Sequence, residues 1–166
     1  MKLAKFTVEF LRHVLANDVY EGKRDRFQHA GDGSLVFKQS WWYSAFSAAL
    51  PGTGLRGIKP GHISMDLLVD AKTEIYHRHY GKGQVRPHEA IMPGTQVTFQ
   101  AMVEDHVTES ALRTLLDRVG RFVGLSPYGH NLGYGKFRLV LVEVGASEAA
   151  GAKRMNEPEG QNGNPA

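Results

Sequence analysis

An α+β fold built on an antiparallel sheet is predicted by three observations. Apolar and polar residues alternate with period two through most of the chain. Two segments switch to helical spacing, and turn residues separate the elements closely enough for hairpin connections. The length of 166 residues fits one domain that buries a core without metal or disulfide staples. With no cysteine, a disulfide framework, thiolate chemistry, an iron–sulfur cluster and a cysteine zinc site are all excluded. No apolar run of about 18 residues occurs, and the Met1–Phe6 start lacks a signal-peptide block, so a soluble cytoplasmic protein with no membrane contact is expected.

Phe6, Val8 and Phe10 alternate with Thr7, Glu9 and Leu11, marking a first strand over 3–14. The polar stretch 16–34 has no periodicity and is expected to be a long N-terminal loop. Ser40 is the expected N-cap of a helix in which Trp42, Ala45, Phe46 and Ala49 share a face, ended by Pro51-Gly52. Trp41, Trp42, Tyr43 and Phe46 cannot all hide on one face. They are expected to be partly enclosed by Phe27 of the long loop, with a subunit interface as the competing use.

Residues 62–67 read as a strand with 73–80 as its antiparallel partner, and the glycine-containing YGKGQVRPH segment as a basic loop. Over 96–104, Val97, Phe99, Ala101 and Val103 alternate inward. Thr108 or Glu109 opens an amphipathic helix through Leu112, Leu115, Leu116, Val119, Phe122 and Val123, closed by Gly124 as a left-handed cap. The last strand spans 136–144. This order gives a ferredoxin-like arrangement, two helices on one face of an antiparallel sheet, as a single domain over 1–144. Residues 145–166 lack the apolar content that offsets ordering entropy, and a disordered C-terminal tail is expected there. The formal charge of +3 belongs to the body: setting aside Lys153 and Arg154 with Glu148, Glu157 and Glu159 raises it to +4.

Cationic and titratable groups gather in two places. His77, Arg78, His79, Lys82, Arg86 and His88 are interleaved with Tyr76 and Tyr80, and on a strand Tyr76, Arg78 and Tyr80 share one face. A face of that kind suits a polyanion whose bases stack. The second segment, 124–138, spaces glycines among Tyr128, His130 and Tyr134 and continues into Lys136 and Arg138. Glycines there either admit a phosphate to the backbone N–H groups or simply serve a tight helix-to-strand connection.

The block 85–142 resembles the C-terminal part of a group of bacteriophage-encoded proteins similar to the RAMP superfamily, ferredoxin-like RNA-binding proteins that include CRISPR-associated subunits. The resemblance is carried by Arg86, the strand 97–103, the helix 112–124, the glycine loop 125–135 and the Gly135-Lys136-Phe137 strand start. Gly33, Leu35 and the Ala-rich segment 42–49 extend it. The loop departs from the family in having spaced glycines with two tyrosines and a histidine in place of a denser glycine run. The resemblance implies single-stranded RNA or DNA as partner, RNA first, in the host cytoplasm if the chain is phage-encoded.

The expected binding residues are thus Tyr76, Arg78, Tyr80, Lys82, Arg86, His88, Tyr128, His130, Tyr134, Lys136 and Arg138, with no cofactor and no catalytic residue assigned. Other readings stay open. One is a structural or assembly subunit acting through a homo-oligomer or protein complex. Another is a two-histidine phosphodiesterase based on His62-Ile63-Ser64 and His106-Val107-Thr108. A metal-free ribonuclease using His29 or His79 is a third, and a metal pair His77-x-His79 completed by His88 or Glu89 a fourth.

Overall fold

The computed structural model describes residues 1–128 and 132–147. Among the described residues there are twelve strands: β1 (Lys2–Phe10), β2 (Val14–Leu15), β3 (Asp18–Tyr20), β4 (Lys23–Arg26), β5 (Gln28–His29), β6 (Leu35–Val36), β7 (Ile63–Met65), β8 (Leu68–Val69), β9 (Glu74–Gly81), β10 (Gln84–Ile91), β11 (Gln96–Val103) and β12 (Phe137–Ser147). The helices α1 (Gln39–Ala49) and α2 (Glu109–Arg118) join them in a mixed α and β architecture with antiparallel sheets. The main sheet has the order β12-β1-β11-β7, so the N-terminal strand lies inside it. Its pairings put Phe6 opposite Phe99 and Val142, and Val8 opposite Val97.

One face of this sheet and both helices share a single core. Trp42 and Phe46 of α1 and Leu112, Leu115 and Leu116 of α2 join Phe6, Phe10, Val97 and Phe99. Trp42 sits edge-on to Phe6 and Phe99, with ring centroids 5.8 and 4.9 Å away. The other face presents Lys5, Thr7, Glu9, Thr98 and Gln100, with the Thr7 and Thr98 hydroxyls 2.8 Å apart. On β1 and β11 that face carries no aromatic ring.

The inward set of β11 and the α1 stripe are as expected, and Phe27 does pack on Trp41 while Tyr43 stays exposed. Thr108 caps α2, its Oγ1 accepting from the Ala111 N–H. Elsewhere the structure corrects the expectations. β1 stops at Phe10, and Val14–Leu15 leaves the main sheet to pair with β10. The expected long loop is instead strands of two to four residues, with β3 and β4 joined through a turn at Glu21 and Gly22, both at positive φ. These pieces are too short and too charged to show a hydrophobic period.

The N-cap of α1 is Lys38, whose carbonyl accepts from the Trp41 N–H, so Ser40 lies in the first turn and caps nothing. Residues 74–81 do not pair with β7. They form a hairpin with 84–91, turning through Gly81, Lys82 and Gly83, all at positive φ, so the expected basic loop is a turn and a strand. β7 pairs with β11 instead.

α2 gives way after Arg118 to a wider turn over Val119–Val123. There Gly120 passes so close to β12 that a Cβ would sit 2.3 Å from the Phe137 carbonyl oxygen. The widening turns Phe122 outward, 62% exposed beneath Arg118, and Gly124 (φ 86, ψ 152) is not a left-handed cap. β12 continues through 145–147, into the stretch assigned to the tail, and residues 148–166 lie outside the described residues.

Candidate nucleic-acid interface

The β9–β10 hairpin supplies the first half of the site. Its register sets Arg78 opposite Arg86 and Tyr76 opposite His88, so Tyr76, Arg78, Tyr80, Arg86 and His88 share a face while His77 and His79 are exposed on the other. Like charges directly opposite each other are unfavourable. The repulsion is offset by rings and by one acid. The Arg78 guanidinium lies 4.2 Å and that of Arg86 5.2 Å from the Tyr80 ring centroid, and Arg86 pairs with Asp25 at 2.8 Å. Asp25 is held at positive φ in β4 to make this contact.

The glycine loop supplies the second half. Arg78 also lies 4.5 Å from the Tyr128 centroid and 5.5 Å from that of Tyr134, so three tyrosines surround one guanidinium. Burial raises the phenol pKa values of Tyr128 and Tyr134, and both act as neutral rings. His88 is fully buried. Its Nδ1–H donates to the Ala16 carbonyl, and its Nε2 accepts from the Tyr80 hydroxyl at 2.7 Å, which in turn accepts from Arg78. His88 therefore positions Tyr80 and presents no ring of its own.

The glycines have a steric reason. A Cβ on Gly135 would come 2.3 Å from the Leu125 carbonyl oxygen, and one on Gly124 equally close to that of Tyr134. The helix-to-strand connection thus accounts for these two glycines by itself.

Two residues that sequence reasoning missed join the halves. The chain leaving β1 hydrogen-bonds to the loop: the Gly135 N–H donates to the His13 carbonyl, and the Leu11 N–H to that of Lys136. His13 then stacks on Tyr76 with centroids 3.9 Å apart, and Arg12 lies over Tyr134 at 5.7 Å. Burial, then the Arg12 charge, lowers the His13 pKa below 6.5, which favours the neutral ring at this stack. The adjacent Arg and His were the only available signal, and Arg12-His13 fell inside what read as a strand.

A cavity of about 610 Å³ opens beside Tyr128, lined by Asn17, Ser40, Trp41, Ser44, Ser126, Pro127, Tyr128 and Leu132. Lys82 is at the hairpin tip. Lys136 and Arg138 are not part of the cluster: Arg138 reaches Glu9, and both line a separate groove with Asp117 and Arg121. His130 lies outside the described residues.

The remaining histidines are placed elsewhere. Glu89, on the far face of the hairpin, accepts from the Phe27 N–H, the Thr73 hydroxyl and His29, tying the hairpin to β5. His62 and His106 do meet, Nδ1 to Nε2 at 3.1 Å. Their facing nitrogens also bond the backbone, His62 Nδ1 accepting from the Lys59 N–H and His106 Nε2 donating to the Gly57 carbonyl. With the Thr108 hydroxyl committed to its cap, the arrangement clasps the 57–59 segment. His88 faces away from His77 and His79, and among the described residues no three His, Asp or Glu side chains are grouped to hold a metal ion. Nor is any helix there long and apolar enough to cross a membrane.

No family model and no curated protein matches the sequence. Among solved structures, the chain is similar to one in the Type III-B Cmr-beta complex bound to cognate target RNA, with a TM-score of 0.53 and 15% identity over 86% of this chain. The match spans 60% of that chain's length, and at this identity the likeness is one of fold.

Proposed function

We propose that this chain binds single-stranded RNA through the surface where the β9–β10 hairpin, the end of β1 and the 125–135 loop converge. The observation that carries the proposal is the clustering of Arg12, Arg78 and Arg86 on Tyr80, Tyr128 and Tyr134, with Tyr76 against Tyr134 and His13, and with the Asp25 carboxylate paired to Arg86. Guanidinium groups attract the phosphate backbone and tyrosines offer faces to unpaired bases. An A-form duplex hides its bases, so a recessed aromatic cluster selects unpaired strands. Lys82 extends the surface, and His88 and His13 hold its rings.

The core is read as ferredoxin-like, of the RAMP type suggested by the 85–142 block. The four-strand order β12-β1-β11-β7 supports this, with α1 between β1 and β7 in the chain and α2 between β11 and β12. The solved complex with a similar chain holds target RNA, which favours RNA over DNA and membership of a larger assembly. The test is binding of mixed-sequence RNA and DNA oligonucleotides at rising salt. Affinity falls steeply with salt, RNA binds at least as well as DNA, and the Arg78→Ala, Arg86→Ala double variant is weaker than the native protein. Absence of salt-sensitive binding at low ionic strength would remove the proposal in favour of a purely structural subunit.

A further inference from the structure

The cavity between α1 and the 126–128 segment has a chemistry distinct from the surface it adjoins. None of its described lining residues is charged, although the Arg78 guanidinium lies 4.5 Å from the centroid of Tyr128, one of its walls. Trp41, Pro127, Tyr128 and Leu132 supply apolar and aromatic area. Asn17, Ser40 and Ser44 supply side-chain polar atoms that have no hydrogen-bond partner among the described residues. Ser126 is already engaged with Leu15 and the Tyr128 N–H.

The walls are held from behind. Trp41 packs on Phe37 and Phe27 at centroid distances of 5.2 and 6.2 Å, and Tyr128 is fixed by Arg78 and His88. Ser40 and Ser44 are one helical turn apart and face the same way as the cavity they line. At about 610 Å³ the space is of ligand size.

We infer that this cavity receives one unpaired nucleobase with its sugar, drawn from the strand bound on the adjoining surface. The described lining, being uncharged, gives a phosphate no counter-charge and leaves it at the cationic rim. A planar heterocycle gains stacking area on Trp41 or Tyr128 and finds donors and acceptors in the amide and two hydroxyls, which can meet a base edge in either hydrogen-bonding sense. The inference deepens the RNA-binding reading and rests on it for the source of the base.

A series of RNA oligonucleotides carrying 2-aminopurine at successive positions tests this, with an abasic series beside it and Ser44→Phe as the variant. Ser44 is exposed on α1, so the larger ring fills the cavity without entering the core. The expected result is one position whose fluorescence is strongly quenched and whose abasic replacement weakens binding about tenfold. Both effects disappear in Ser44→Phe while salt-sensitive binding persists. Tight binding with no distinct position, or with quenching unchanged in Ser44→Phe, overturns the cavity and leaves the surface reading standing. If the native protein binds no RNA, the surface reading fails. The cavity is then judged by adenosine and uridine alone: a saturable change in tryptophan fluorescence that Ser44→Phe removes upholds it, and no change overturns it.

Discussion

Replacing Arg78 separates the two things its guanidinium does. The surface has four cations, Arg12, Arg78, Lys82 and Arg86, and Asp25 neutralises part of one through its 2.8 Å contact with Arg86. Three to four phosphates engaged by a single strand correspond to a slope of log Kobs against log salt of about −2 to −3, or roughly 20- to 50-fold weaker binding between about 50 and 200 mM salt. Arg78→Ala removes one such contact and makes the slope shallower by about 0.7. It also removes the cation from between Tyr80 and Tyr128, 4.2 and 4.5 Å from their centroids. Loosening two rings costs a further ~1 kcal/mol that salt does not change.

Arg78→Lys keeps the charge and loses the planar group, so it retains the native slope and shows only the salt-independent part. Fluorescence anisotropy with a labelled single-stranded RNA, at five or so salt concentrations, reads both quantities. A native slope in Arg78→Ala, or an equal loss of slope in both variants, would refute the placement of Arg78 at the phosphate-facing centre of the surface.

Other outcomes follow from single contacts. Gly120→Ala drives a methyl group against the Phe137 carbonyl and ring, and thermal or denaturant unfolding should show a loss of at least ~2 kcal/mol. Thr108→Ala removes the α2 cap and costs about 1 kcal/mol in the same assay, with RNA affinity unchanged because the cap follows the end of β11 that pairs with Lys2, at the opposite end of β1 from the surface. Because the folded pKa of His13 is lowered, its contribution to stability is full above pH 6.5 and declines as the pH falls through 6.5 towards the folded value. His13→Phe keeps a ring on Tyr76, so its melting temperature should fall less steeply than that of the native protein in acid. Parallel curves for the two proteins would contradict the burial of the His13 ring.

Much of the core could be read from the sequence because burial there is periodic. Val97, Phe99, Ala101 and Val103 and the leucines of α2 repeat with the period of their element, and Thr108 announces its helix by residue type alone. Pairing was harder to read. β7 and β9 have similar alternation, and what separates them is the positive-φ turn at Gly81-Lys82-Gly83, which pairs β9 with β10 while β7 pairs with β11. The strands between 18 and 36 were invisible because side chains bonded to distant backbone hold this region, such as Glu89 on the Phe27 N–H.

The site divides the same way. The shared face of Tyr76, Arg78 and Tyr80 is a consequence of period two. The inclusion of Arg12 and His13, and the exclusion of Lys136 and Arg138, depend on how the end of β1 meets the loop at Gly135, which no local pattern records.

The face-to-face placement of Arg78 and Arg86 has a thermodynamic corollary. A pair of guanidinium groups held across a hairpin, with the Asp25 carboxylate on Arg86 alone, leaves the unliganded hairpin short of negative charge. A bound phosphate backbone supplies it. Occupancy and hairpin stability are therefore linked, and by mass action every tenfold excess of ligand over its Kd adds about 1.4 kcal/mol to the folded state. The hairpin acts as its own occupancy gauge: protease cleavage at its Lys82 tip slows in proportion to the fraction of protein carrying a strand.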